Sequence, residues 1–306
     1  MNIKTPLIKS NKLGELNNCN VWLKMESAQP TGSFKLRSIG NACQQYLKNG
    51  AQKFISSSGG NAGISVAYIG NILNIPVTVV VPKTTSQKAI DLIRKENAEV
   101  IVYGDAWNEA NELALSMVTK EDIYIHPFDD QYLWDGIETI VDEVIADGVI
   151  PTAVVLSVGG GSLISGIRQG LTKQNLDIPI YAVETDGTAS LNVSMKMGKH
   201  MTLDKVTGVA TTLAAQRVCE KAFLVSQNTH VKGIAVTDEE AVSACFKFID
   251  DHRTLVEPAC GATLSVLYNQ KVSFKHTDQV LVIVCGGATI TLEQLSKYAC
   301  ELSIKK

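Results

Sequence analysis

The stretch that decides the fold is AVVLSVGGGSLISGI, residues 153–167. An apolar run leads to Gly159, Gly160 and Gly161, and apolar residues at helical spacing follow. Continuous apolar runs are typical of strands that are covered on both faces of a parallel sheet. Consecutive glycines after such a strand let the backbone turn tightly and direct several N–H groups, together with the positive end of the helix dipole, at one anion. The stretch therefore predicts a strand–loop–helix unit that binds a phosphate group.

The same alternation of strand and helix continues along the chain. A helix is predicted to begin after Thr237, because Glu240 follows at the spacing of a capping box. The alternation predicts an α/β fold with two open, mostly parallel, twisted sheets flanked by helices. A boundary between two domains is expected near residues 126–130, with the site in the cleft between them. The predicted strands are 21–25, 53–57, 77–81, 99–103, 123–125, 153–158, 180–184 and 281–285.

The composition excludes several classes of protein. The chain has 306 residues, 45% of them apolar and 19% charged, and a net charge of −3, which is normal for a globular protein. There is no basic surplus for nucleic acid, no apolar run of the roughly 18 residues that a membrane span needs, and no apolar secretory signal. Seven scattered cysteines favour reduced thiols and a cytoplasmic location over disulfides or a zinc site.

Three further stretches combine residues that can do chemistry. SSSGGNAG (56–63) offers neutral donors to a small anion such as a carboxylate, although it would also serve as a helix N-cap. In SAQPTGSFKLRS (27–38), Ser33 is expected to cap a helix and Lys35 to lie in its first turn. The helix dipole there lowers the basicity of an amine, as a Schiff-base lysine requires, but this stretch taken alone favours an ordinary solvated lysine. In VLVIVCGGAT (280–289), Cys285 is either a small core residue or a thiol that faces a ligand ring.

The phosphate carrier is left open by the glycine loop itself. Gly159 and Gly161 match two positions of a dinucleotide fingerprint, and Glu184 at the end of the next strand could bind a ribose. The third glycine of that fingerprint is replaced by Ile164. NAD is therefore an alternative, whereas a Walker A loop is excluded because no Gly-Lys-Ser/Thr follows.

Taken together, the stretches resemble the fold type II family of pyridoxal 5′-phosphate enzymes. Within it, the chain is most similar to the short L-serine dehydratase/L-threonine deaminase branch, including the serine dehydratase-like members. The matching blocks occur in the family's order and span nearly the whole chain. They are LKMESAQPTGSFKLR (23–37), SSGGNAG (57–63), HPFDDQYLWDG (126–136), SVGGGSL (157–163), LVEPACGATL (255–264) and IVCGG (283–287).

The resemblance implies a role for each matching residue. Lys35 would form the Schiff base with the cofactor, Phe34 would stack on its ring, and Asn61 would contact its 3′-oxygen. Cys285 would lie beside the pyridine nitrogen. The phosphate would be held by Gly159, Gly160, Gly161, Ser162 and Leu163. The substrate carboxylate would be held by Ser58, Gly59, Asn61 and Ala62. A monovalent or divalent cation would be held by Glu184, Thr188 and Ser190, with backbone near Leu213 and Ala215.

The implied activity is α,β-elimination from L-serine or L-threonine, which yields a 2-oxo acid and ammonia. Residues 1–39 with 128–306 would form a large cofactor domain and 40–127 a small domain, in a homodimer that lacks a regulatory domain. The chain departs from the family's pattern at Ser162, where many members have a fourth glycine, and at Gly59, where the liver-type enzyme has alanine. Racemisation or β-replacement of a small hydroxy amino acid, and a weakly active cofactor-binding relative, are the alternatives.

Overall fold

The computed structural model describes residues 1–304, which form two sheets with helices on their faces. The strands are β1 (Leu7–Lys9), β2 (Asn20–Met25), β3 (Lys53–Ser56), β4 (Val77–Val81), β5 (Glu99–Val102), β6 (Asp122–Tyr124), β7 (Ala153–Ser157), β8 (Ile180–Thr185), β9 (Val231–Val236) and β10 (Gln279–Val284). The α-helices are α1 (Asn11–Asn17), α2 (Lys35–Lys48), α3 (Asn61–Leu73), α4 (Gln87–Lys95), α5 (Trp107–Ser116), α6 (Gln131–Ala146), α7 (Ser162–Lys173), α8 (Ser190–Met197), α9 (Glu220–Ser226), α10 (Asp238–His252), α11 (Pro258–Tyr268) and α12 (Leu292–Glu301).

The larger sheet has six strands in the order β1-β2-β10-β7-β8-β9. All neighbours in it are parallel except β1, which pairs antiparallel with β2. The smaller sheet has four parallel strands in the order β5-β4-β3-β6. The predicted class of two open, mostly parallel sheets flanked by helices is thereby confirmed.

Central strands were predictable because both of their faces are covered. Every residue of β7 is buried, and so is every residue of β10 after its first, so the sequence of each is a nearly continuous apolar run. Strands β1 and β9 were not predicted. Both are edge strands, and their exposed positions, such as Lys232 and Gly233, interrupt the apolar pattern.

Helix α2 connects the two halves of the molecule. Its first residue is Lys35, and its buried residues Leu36 and Ile39 pack into a core that also contains Phe54 of β3. The helix therefore runs through the predicted boundary between residues 39 and 40. All four strands of the smaller sheet lie within 40–127 and all six strands of the larger sheet lie outside it.

The capping box at the start of α10 is confirmed. The Thr237 side chain accepts from the backbone of Glu240, and the Glu240 side chain accepts from the backbone of Thr237. Within residues 1–304 there is no helix with the length and apolar character that crossing a membrane requires.

Candidate active site

The SFK and CGG stretches meet at the carboxyl edge of the larger sheet. The backbone N–H of Phe34 donates to the carbonyl oxygen of Cys285 at 3.1 Å, and Gly287 donates to Gly32 at 2.9 Å. These bonds hold the start of α2 against the end of β10. The predicted cap at Ser33 is wrong: the N-cap position is Phe34, and the buried Ser33 hydroxyl has no partner among the described residues. Bonding to the neighbouring strand end, rather than capping by a side chain, fixes this helix terminus.

The Lys35 amine lies in a polar recess without a counter-ion. Its Nζ donates to the carbonyl oxygen of Pro127 at 2.6 Å and to Ser162 Oγ at 3.1 Å. It lies 5.1 Å from the centroid of the Phe34 ring. No carboxylate of residues 1–304 forms an ion pair with it. Burial lowers the pKa of Lys35 to about 8, against a smaller raising effect of the nearby thiols of Cys219 and Cys285. Burial is thus the cause of the lowered basicity, where the sequence suggested the helix dipole.

The glycine loop between β7 and α7 has no room for side chains. A Cβ at Gly160 would lie 2.1 Å from the Phe128 ring, and one at Gly161 would lie 2.4 Å from the Cβ of Ala222. Gly161 is also the N-cap of α7 and has a φ of 95°, a conformation that L-residues rarely adopt. The loop therefore presents bare backbone at the N-terminus of a helix, beside the Lys35 amine, as a phosphate site requires. Ser162 and Leu163, the first residues of the helix, are both buried.

The SSSGGNAG stretch joins β3 to α3 and faces the cleft. The N-cap is Gly60, without a side-chain cap, and its N–H lies 3.3 Å from the Ser58 hydroxyl. Gly59 packs against Thr85, whose side-chain atoms would lie 2.6 and 2.7 Å from an added Cβ. Ala62 is buried in the first turn of the helix. Ser58 thus accepts from the backbone within its own turn. Among the described residues the N–H groups of residues 61–63 have no acceptor, so they can bind an anion.

Asn61 is held by two residues that sequence reasoning did not select. Its Nδ2 donates to Oε1 of Glu257 at 2.9 Å, and the same oxygen accepts from Thr212 Oγ1 at 2.8 Å. Its Oδ1 accepts from the backbone N–H of Ala288 at 3.0 Å. Glu257 belongs to the LVEPACGATL stretch, so an acidic residue inside a matching block was the available signal.

Cys285 is a neutral thiol at the carboxyl end of β10. It is 5% exposed, and its Sγ lies 3.5 Å from Ser157 Oγ. Hydrogen bonding with Cys260, together with burial, raises the pKa of the Cys285 thiol well above its ordinary value. The thiol therefore stays protonated and can face a ring nitrogen without adding a charge.

The three proposed cation ligands with side-chain oxygens lie together at the end of β8. Glu184 is fully buried and accepts from the backbone N–H groups of Leu191 and Asn192 at 2.8 and 2.7 Å. Burial raises its pKa to about 7, although those hydrogen bonds lower it. The buried hydroxyl of Ser190 has no partner among the described residues, whereas that of Thr188 lies 2.9 Å from Thr185 Oγ1. Because Glu184 is bonded to the start of α8, it does not serve as the ribose-binding acid of a dinucleotide site in this arrangement.

The residues present fit pyridoxal 5′-phosphate. A glycine cradle for a phosphate, an amine with lowered pKa and no counter-ion, and a neutral thiol lie around one recess. A dinucleotide would use neither the Lys35 amine nor the Cys285 thiol. The donor set therefore supports the vitamin B6 cofactor over NAD.

Comparisons with known proteins agree with this assignment. The family model described as pyridoxal-phosphate dependent enzyme matches residues 1–286. An L-serine dehydratase of Dictyostelium discoideum is 45% identical over 97% of this chain and 91% of its own length. An L-serine dehydratase/L-threonine deaminase of Mus musculus is 40% identical over 99% of this chain and 97% of its own length. The crystal structure of a fungal L-serine ammonia-lyase from Rhizomucor miehei superposes with a TM-score of 0.93 at 34% identity and covers 98% of both chains. The chain belongs to the family of pyridoxal-phosphate-dependent enzymes.

Proposed function

We propose that the protein is a lyase that eliminates water from L-serine or L-threonine and releases pyruvate or 2-oxobutanoate with ammonia. Relatives of this length that carry the names L-serine dehydratase and L-serine dehydratase/L-threonine deaminase support the reaction class. The observation that carries the proposal is the Lys35 amine, which lies 3.1 Å from Ser162 Oγ of the glycine loop and has a pKa lowered to about 8.

The residues of the recess have separate roles in binding and in proton transfer. We assign the phosphate to the backbone of residues 159–163 and the substrate carboxylate to Ser58, Gly59, Asn61 and Ala62. When bound, the cofactor supplies a ring that takes up electrons as the Cα–H bond breaks. Because the pKa of Lys35 is about 8, a useful share of its amine is neutral near pH 7 and can accept that proton. The Cys285 thiol is neutral and therefore adds no formal charge at the far end of the recess. This favours loss of the β-hydroxyl over return of the proton to Cα.

An assay of the purified protein tests the proposal. L-serine and L-threonine should each yield a 2-oxo acid and ammonia, and the protein should be yellow. Lys35→Ala should lose the covalently held cofactor and roughly a hundred- to ten-thousandfold of the rate, which is the usual contribution of a positioned base. Unchanged turnover in that variant would exclude Lys35 as the base. A chiral assay on serine separates elimination from racemisation, and a yellow protein that releases no ammonia would identify a merely cofactor-binding relative.

We also propose a cation at Glu184, Thr188 and Ser190, with backbone near Leu213 and Ala215. The buried hydroxyl of Ser190, which has no partner among the described residues, supports it, because a cation would satisfy that oxygen. Glu184 would lie beside the cation while it keeps its hydrogen bonds to the start of α8. Potassium or magnesium should raise the melting temperature of the parent protein, and Glu184→Gln should abolish that response.

The oligomeric state, the domains and the compartment are further proposals. We propose a homodimer, since most soluble oligomers have two-fold symmetry, with a large domain of residues 1–39 and 128–306 and a small domain of 40–127. The separation of the two sheets by sequence range supports the domains. We propose the cytoplasm as its compartment, because all seven cysteines are unpaired. Light scattering and fractionation test these two statements.

A further inference from the structure

Glu257 is a buried acid for which the proposed mechanism has no use. It is the N-cap of α11, directly before Pro258, and is 5% exposed. No lysine, arginine or histidine of the described residues forms an ion pair with it. Burying a carboxyl group without a cation lowers the stability of the fold. We therefore expect Glu257 to have a role at the edge of the recess.

The bonds around Asn61 indicate that reason. Its Oδ1 accepts from the backbone N–H of Ala288 and its Nδ2 donates to Glu257 Oε1. A flipped amide would set oxygen against oxygen at Glu257 and nitrogen against N–H at Ala288, so only one orientation is allowed. An amide nitrogen carries two hydrogens, and Glu257 takes one of them. The other hydrogen is therefore held in a fixed direction.

Glu257 is itself fixed from two sides. Thr212 Oγ1 donates to the same oxygen, Oε1, at 2.8 Å. Gly287 allows the side chain to lie against the CGG segment, since an added Cβ there would lie 2.6 Å from the Cβ and Cγ of Glu257. Oε2 accepts no hydrogen bond from any described residue. The acid thus joins the start of α3, in the smaller half of the molecule, to two loops of the larger half.

We propose that Glu257 is a positioning residue, which holds the Asn61 amide across the cleft so that one N–H stays directed at the 3′-oxygen of the cofactor. The inference rests on the proposed cofactor site, because the free N–H needs that oxygen as its acceptor. Asn61 is the residue that touches the cofactor, and Glu257 acts through it.

The acid also responds to pH near neutrality. Burial raises the pKa of Glu257 to about 7, while the hydrogen bonds from Thr212 and Asn61 lower it. The titratable groups that face it are the thiols of Cys245 on α10 and Cys285 after β10, and the phenol of Tyr298 on α12. These groups are neutral at pH 7, so Glu257 is the one among them that gains a charge between pH 6 and pH 8. A negative charge that appears beside Asn61 should shift the absorption band of the bound cofactor.

Binding of pyridoxal 5′-phosphate to the apoprotein tests the inference. Glu257→Ala should raise the dissociation constant of the cofactor about tenfold, the weight of one well-placed hydrogen bond, and should move the visible band. Glu257→Gln keeps an Oε1 that accepts from both donors and replaces only the unbonded Oε2. The dissociation constant of the cofactor should stay within about twofold or threefold of the parent value in this variant. The visible band, however, should no longer shift with pH near 7. Glu99→Gln is a matched control, because Glu99 also accepts from a threonine, Thr78, at 2.7 Å, but on an edge strand of the smaller sheet.

Two results would overturn the inference. The first is that Glu257→Ala binds the cofactor with the affinity and spectrum of the parent. The second is that adding Glu257→Ala to Asn61→Ala weakens cofactor binding a further tenfold. A residue that acts only through Asn61 has no effect once that side chain is gone. If the alanine variant does not fold, Glu257→Asp retains the acid but withdraws it from Asn61, and it must then show the weaker binding. A parent protein that stays colourless with the cofactor contradicts the proposed function instead, which keeps the two failures apart.

Discussion

Gly161 illustrates how one residue can combine two requirements of the phosphate loop. Its φ is 95° and a Cβ would lie 2.4 Å from Ala222, so both the backbone and the packing exclude a side chain. Gly148 shares the first requirement alone, with a φ of 82° and no atom within 4 Å of an added Cβ.

Gly161→Ala and Gly148→Ala therefore separate strain from loop geometry. Gly148→Ala should lower the free energy of unfolding by about 1 kcal/mol through strain at positive φ. Gly161→Ala should lower it by about 1–3 kcal/mol more, because its methyl group also overlaps Ala222. Only Gly161→Ala should also weaken cofactor binding, by tenfold or more, because its methyl group displaces the loop from α9. Urea titrations and cofactor titrations of both variants measure this. Equal cofactor affinity in the two variants would contradict the assignment of the loop.

Cys285 and Cys43 are both buried thiols, but only the first faces the recess. Replacing either by alanine should cost about 1 kcal/mol of stability, as for other small buried groups. Cys285→Ala should in addition slow the release of 2-oxo acid about tenfold or more, whereas Cys43→Ala, in the core of the smaller half, should not. Kinetics at saturating serine check the difference. If the two variants keep the same rate, Cys285 is only a packing residue.

At the scale of elements, α10 stabilises the helix that carries Glu257. It packs against α11, and its first turn is closed by the capping box of Thr237 and Glu240. Such caps act locally and do not touch the recess, so their loss should change stability without changing chemistry.

Thr237→Ala should lower the free energy of unfolding by about 0.5–2 kcal/mol. Turnover at 25 °C should be unchanged, because no described hydrogen bond joins Thr237 to the recess. Chemical denaturation and an assay of the same preparation test both parts, with Thr237→Ser as the control that keeps the cap. A variant with normal stability would show that tertiary packing alone holds the helix start.

Across the whole molecule, a buried group of charges joins the N-terminal segment, β2, α2 and α6. Arg37, two residues after Lys35, bonds to Glu26 and to Glu143, and Lys24 also bonds to Glu143. Arg37 and Lys24 are at most 1% exposed. Burial raises the pKa of Glu143, but hydrogen bonds from Arg37 and Lys24 outweigh it, so the pKa lies below its ordinary value of 4.5.

Arg37→Met should lower the free energy of unfolding by about 3–5 kcal/mol, because it leaves the buried Glu26 without its cationic partner and Glu143 with Lys24 alone. A carboxyl group with a lowered pKa stabilises the fold above its unfolded pKa, and this contribution is lost as the pH falls through the folded value. The difference in the free energy of unfolding between parent and variant should therefore narrow below pH 4.5, where Glu143 becomes protonated in the parent. Denaturation at several pH values measures it, with Arg168→Met, which breaks an exposed pair with Asp177, expected to cost under about 1 kcal/mol. A gap that stays constant with pH would contradict this account.

The amino-acid sequence by itself determined the features whose signal is local. A glycine run after an apolar strand, a capping-box spacing and alternating strand and helix patterns were enough for the α/β class, the glycine loop and the start of α10. Strands β1 and β9 were not predicted because exposed residues such as Lys9 and Lys232 interrupt their apolar patterns. The edge strands β5 and β6 were predicted because their sequences keep short apolar runs.

Only the tertiary structure decided which distant residues meet. Asn61 and Glu257 are 196 positions apart, and no local pattern relates two such residues. The same holds for the environment of Lys35: its lowered pKa comes from burial beneath segments far along the chain, and burial belongs to the packed molecule rather than to a helix position. Local order is encoded by near neighbours, whereas desolvation and pairing across the cleft exist only once the sheets have formed.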